Sequence, residues 1–179
     1  MREQYTLGTV AGLRLSARPS AVGGSMILGV LGSLVARRRG LAPGRALAAG
    51  GALVGLHWAG ELWHQLGHAR AARRTGYPMT GIQLWGLLSA SQYPPAEPVL
   101  PPAVHIRRAL GGPLASGLLA LIAGLAAGRA GRGPGRGWLW FIFWENLLVF
   151  TLGAFVPLGF NDGSTLLHWW GVQRRQRRS

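Results

Sequence analysis

The chain contains neither cysteine nor lysine. The first absence excludes disulfides and thiolate metal sites, so any metal must be held by histidine and carboxylate. The second makes all 19 basic side chains arginine. Acid is scarce as well: the carboxylates are Glu3, Glu61, Glu97, Glu145 and Asp162. Charged residues make up 13% of the chain, where soluble domains carry roughly 25%. So few charges leave little to solvate a water-facing surface.

What is present fits that deficit. Hydrophobic residues reach 49%, with 29 glycines and 8 tryptophans, and both Gly and interfacial Trp are enriched in membrane proteins. The net charge is +14. The arginines cluster between apolar runs, as at Arg37, Arg38 and Arg39 and again at Arg174, Arg175, Arg177 and Arg178. That layout suits the flanks of membrane spans against anionic lipid, and argues against nucleic acid as a partner.

Four apolar stretches, at about 20–36, 46–68, 109–127 and 138–160, are long enough to span a bilayer, the first marginally. The reading is an all-α polytopic membrane protein in one domain, residues 1–179, with a small β element. The first stretch does not read as a signal peptide, because a long mixed segment precedes it. Four spans put both termini and the 69–108 loop on one side. The other side receives Arg37, Arg38, Arg39, Arg45, Arg129, Arg132 and Arg136, the minority of the arginines. The positive-inside rule then predicts cytoplasmic termini in a bacterial-type cytoplasmic membrane. Between the second and third spans, "GIQLWGLLS" is expected to form a strand or hairpin, and "YTLGTVAGLRLSA" near the N-terminus a strand that pairs with it. "PPAEPVLPP" is an irregular connector.

The second span carries the chemistry, in "GELWHQLGH" at residues 60–68. At 100° per residue His57, Glu61, His64, Gln65 and His68 fall on one stripe about 100° wide. Polar groups in a span face the protein interior or a water-filled cavity. His64 and His68, one turn apart, can reach one ion. A third ligand is needed, and Asp162 in "FNDGS" is the best candidate. Gly163 would let the chain turn sharply beside it. Asp162 could instead cap the following helix, and the histidines could be a hydrogen-bonded interior pair. Glu61 and His64 also spell a di-iron motif, but too few carboxylates exist to complete one.

Together the motifs resemble the site-2 protease family of intramembrane zinc metalloproteases. "HQLGHARAARRTGYP" is similar to its His-Glu-x-Gly-His helix, "RRALGGPLASGLLAL" to the Ala-Gly-Pro start of its third span, and "FVPLGFNDGSTLL" to its Leu-Asp-Gly motif. The N-terminal "GTVAGLRLS" is similar to the strand that precedes its first span. The resemblance implies zinc on His64, His68 and Asp162, cleavage of transmembrane protein substrates within the bilayer, and a small sheet from residues 6–18 and 80–90 whose edge could receive an unfolded substrate segment. Three positions depart from the family. Gln65 replaces the glutamate that moves a proton from water to the leaving amine, which a carboxamide cannot do. Asn161 stands where the family has Leu, and Ala154 where it usually has Asn. Glu61 is a possible substitute base, a fourth ligand, or an acceptor for a histidine ring N–H. The alternative function is a non-catalytic pseudoprotease that binds transmembrane segments or partner proteins.

Elsewhere, Glu145 is expected to pair with an arginine such as Arg107 or Arg108 or to reach an interface, and both arginines to meet headgroups. His57 is expected to partner Glu61. His105 is expected in the connector and His168 in an interfacial aromatic belt. Gly111, Gly112 and Pro113 are expected to permit close packing and set the start of the third span.

Overall fold

Ala11 and Gly12 both hold positive φ, at 50° and 78°. Such a pair forms the two-residue turn whose twist matches a hairpin. It joins β1 (Tyr5–Val10) to β2 (Leu13–Ala17), with Val10 opposite Leu13. Two long helices follow, α1 (Pro19–Arg38) and α2 (Pro43–Arg74), before β3 (Gly81–Trp85) and β4 (Leu88–Gln92). This crossover lets β2 and β3 pair in parallel, while β3 and β4 close a second hairpin with Gly86 at φ 56°. The sheet order is β1-β2-β3-β4. The strand expected near the N-terminus is thus a full hairpin, and it pairs with the downstream one. We describe residues 4–178 of a computed structural model.

After the connector come α3 (Pro102–Arg129), α4 (Pro134–Glu145), a π-helical turn at Asn146–Leu152, a 3₁₀ turn at Gly153–Phe155, and α5 (Asp162–Gln176). The chain groups into two compact units. One is the chain up to Leu62 with Thr80–Gln92; the other is Trp63–Met79 with the chain from Tyr93 onward.

In the first unit, α1 and the first part of α2 meet through small residues. A side chain on Gly50 would strike Ser33 and the Gly29 carbonyl. The Trp58 indole N–H donates to Ser25 Oγ at 2.9 Å. The polar side chains of α2 in this unit turn to the β3–β4 hairpin: His57 Nε2 lies 2.9 Å from the Leu87 carbonyl, and Ser89 donates to Glu61 at 2.7 Å.

In the second unit the buried stripe of α3 beyond Arg108 is made, apart from Pro113, of small residues: Ala109, Gly112, Ser116, Ala120, Ala123 and Ala127. Its large residues, Leu114, Leu118, Leu121, Ile122 and Leu125, are more than half exposed. Small inside and large apolar outside is the reverse of a water-soluble helix, and it suits helices that pack in lipid. Among the described residues, three helices are long and apolar enough to cross a membrane, Pro19–Arg38, Pro102–Arg129 and Pro134–Phe155. At 32 residues α2 has the length, but the polar stripe lowers its hydropathy.

The helix ends differ from those read in the sequence. The third begins at Pro102 rather than near residue 109, because proline is well tolerated at a first helical position. His105 is therefore helical, stacked on Trp169 with ring centroids 3.9 Å apart. Pro113 lies inside α3 and does not start it. The last long helix stops at Phe155, not near 160. Val156 precedes Pro157 and is extended, at φ −69° and ψ 121°, as a residue before proline tends to be.

Candidate metal centre

His64 and His68 lie one turn apart on α2, so both rings project to the same side. Their Nε2 atoms approach to 3.0 Å. Asp162 Oδ2 completes a triangle, 3.3 Å from His64 Nε2 and 3.4 Å from His68 Nε2. Among the described residues this is the group that could hold a metal ion, and Glu61 is not part of it. Both histidines are buried and Asp162 is half-buried.

The donor set fits zinc. Bonds of 2.0–2.1 Å at tetrahedral angles place donor atoms roughly 3.3 Å apart, and these three are 3.0, 3.3 and 3.4 Å apart. The far ring nitrogens are engaged elsewhere. His68 Nδ1 lies 2.8 Å from the Arg108 carbonyl, with the longer Gly112 N–H contact at 3.3 Å. A carbonyl only accepts, so Nδ1 carries the hydrogen and Nε2 offers its lone pair. His64 Nδ1 lies 3.1 Å from Ser116 Oγ, which can accept in the same way. Two lone pairs and a carboxylate crowded together in a buried site need a cation or protons between them.

Asp162 is free for this role because another residue caps the helix. Asn161 is the N-cap of α5, its side-chain Oδ1 accepting from Ser164 N at 3.3 Å and Ser164 Oγ at 2.9 Å. It also accepts from Leu158 N at 3.1 Å and donates to the Ala154 and Val156 carbonyls. Asn161 thus ties together the loop that presents Asp162. Gly163 works by close approach rather than by turning. A side chain there would strike the Phe155 carbonyl, whereas the positive φ of this loop, 90°, belongs to Gly159.

Room for the imidazoles comes from α3. A Cβ on Gly112 would collide with Nε2 of both His64 and His68. Gly67 and Gly111 bring the backbones together, since a Cβ on either would strike the other's carbonyl. The sequence marked Gly111 and Gly112 for packing but missed Gly67 and the contact of Gly112 with both histidines. It also missed Ser116, the one hydroxyl on the buried stripe of α3, which was the available signal. Gln65, beside His64, is buried at 4% exposure.

Arg108 departs from its expected place. It meets neither headgroups nor Glu145. It is buried at 4% exposure, and its guanidinium forms hydrogen bonds to both oxygens of Glu97 and to the Tyr77 carbonyl, with the Tyr93 ring 4.1 Å away. This fastens the proline-rich connector to the start of α3, whose Arg108 carbonyl holds His68. The hydrogen bonds from Arg108 hold the Glu97 carboxyl below the usual carboxylate range, against the opposing effect of desolvation. A depressed folded pKa stabilises the fold above the ordinary value and loses that contribution as pH falls through the folded value. Thermal unfolding in detergent should therefore show Glu97→Gln less stable than wild type at pH 7, with the gap closing below about pH 4. A gap unchanged by pH would contradict the pairing.

No family model matches the chain, and no curated protein matches it. Among solved structures, the site-2 protease from Methanocaldococcus jannaschii matches over 92% of this chain and 70% of that one, with a TM-score of 0.65 and 14% identity. This chain has the fold of a site-2 protease.

Proposed function

We propose that the protein is a site-2-protease-like zinc metallopeptidase framework that takes up transmembrane protein substrates, with hydrolysis limited by Gln65. The observation that carries this reading is the convergence of His64, His68 and Asp162 within hydrogen-bonding distance of one another, in that fold. We propose further that α2 also crosses the bilayer, giving four spans, and that both termini are cytoplasmic.

Zinc held by the three residues would supply a Lewis acid to polarise a substrate carbonyl and to lower the pKa of water. The chain's own groups do the rest. His68 and His64 are oriented by the Arg108 carbonyl and Ser116. An unwound substrate segment would add to an edge of the four-stranded sheet through main-chain hydrogen bonds. Hydrolysis then needs a group to take a proton from water and give it to the departing amine. Gln65 has no such proton chemistry. Glu61 accepts from Ser89 and would fix β4 rather than replace the base.

Gln65 also favours a second reading, a pseudoprotease that binds transmembrane segments without cutting them. A cleavage assay on a model transmembrane substrate decides between them, using wild type, Gln65→Glu and Glu61→Gln. Slow cleavage by wild type that survives Glu61→Gln supports the enzyme. Its abolition by Glu61→Gln would make Glu61 the base. Cleavage only by Gln65→Glu identifies the non-catalytic form.

A further inference from the structure

The groove between the C-terminal part of α2 and the N-terminal part of α3 is divided by chemistry along its length. Its volume is about 810 Å³. At one end stand Arg70, Arg74 and Arg107, all exposed, with the hydroxyl of Thr75. Along the rest run Leu66, Leu110, Leu114 and Leu118, ending at Trp63. No carboxylate lines it.

Helix geometry explains the division. The two helices run antiparallel and close, with Gly67 against Gly111 and the Trp63 indole N–H donating to the Ala115 carbonyl at 2.8 Å. The arginines near the end of α2 therefore meet the one near the start of α3. From Trp63 to Arg74 the helix rises about 16 Å, about the depth of one leaflet of a 30 Å hydrocarbon core.

We propose that this groove binds one anionic phospholipid, its phosphate among Arg70, Arg74 and Arg107 and one acyl chain along the leucines. Charge complementarity selects this occupant: basic pockets between membrane helices bind anionic headgroups, and the leucines from Leu110 to Leu118 run about 12 Å, enough to hold most of one acyl chain. The apolar body of a transmembrane peptide offers no anion to match three guanidinium groups at one end.

The test is native mass spectrometry of the full chain released from nanodiscs containing dioleoylphosphatidylglycerol and dioleoylphosphatidylcholine in equal parts. Wild type should retain one phosphatidylglycerol. Each arginine near an anionic surface contributes about fivefold in affinity, so Arg70→Gln/Arg74→Gln/Arg107→Gln together should weaken retention on the order of a hundredfold. The matching Arg→Lys triple should keep most of it, which separates charge from misfolding. Leu114→Trp, which fills the apolar part and leaves the arginines intact, should also lose the lipid. Inorganic phosphate at millimolar concentration should not displace it. Equal retention of phosphatidylcholine, displacement by phosphate, or an equal loss in Arg37→Gln/Arg38→Gln/Arg39→Gln would overturn the proposal. So would a groove that crosslinks to a model transmembrane peptide while phosphatidylglycerol stays bound.

Discussion

Gln65→Glu should raise cleavage of a model transmembrane substrate by a factor of about 10² to 10⁴, the usual contribution of a positioned general base. That corresponds to roughly 3–5 kcal/mol of barrier. The two side chains are nearly the same size, so packing around residue 65 should barely change. Zinc content should stay as in wild type, because position 65 holds no ligand atom in the His64–His68–Asp162 group. If Gln65→Glu is as slow as wild type at full zinc occupancy, the proton carrier is not what limits this protein.

Gly112→Ala should lose most of its zinc without unfolding. The added Cβ would overlap Nε2 of both histidines, the two atoms that face Asp162. The rings cannot swing away freely, because their far nitrogens are held by Ser116 and by the Arg108 carbonyl. Meanwhile alanine is the better helix former by about 1 kcal/mol, so α3 itself gains. Zinc affinity should fall at least a hundredfold while helical circular dichroism is retained. Zinc bound as tightly in Gly112→Ala as in wild type would mean that α3 does not confine the ligands as described.

That His64, His68 and Asp162 come together was legible in the sequence, because polar residues are conspicuous in an apolar helix. His64 and His68 are spaced by one turn, and with so few carboxylates Asp162 had little competition. How Asp162 is freed was not legible: the cap on Asn161 depends on the path of residues 154–161, which nothing local specifies. Arg107 and Arg108 show the same limit. Adjacent residues on a helix point about 100° apart, so one faces outward and the other is buried. Choosing between them required knowing that the connector brings Glu97 to Arg108. The hairpins were visible in part, since "GIQLWGLLS" marked its turn by glycine, whereas the turn at Ala11 and Gly12 uses an alanine at φ 50° that propensity would not choose. The helix ends do not coincide with the apolar stretches: α3 starts in polar sequence at Pro102, and the apolar "VPLGF" is not helical.

The proposed metallopeptidase framework requires a metal held by His64, His68 and Asp162. Zinc measured by inductively coupled plasma mass spectrometry in protein purified without added metal tests it most directly. One zinc per chain is expected in wild type and in His57→Ala, and none in His64→Ala or Asp162→Ala. A wild type that takes up no zinc, or a His64→Ala variant that keeps it, would contradict the account.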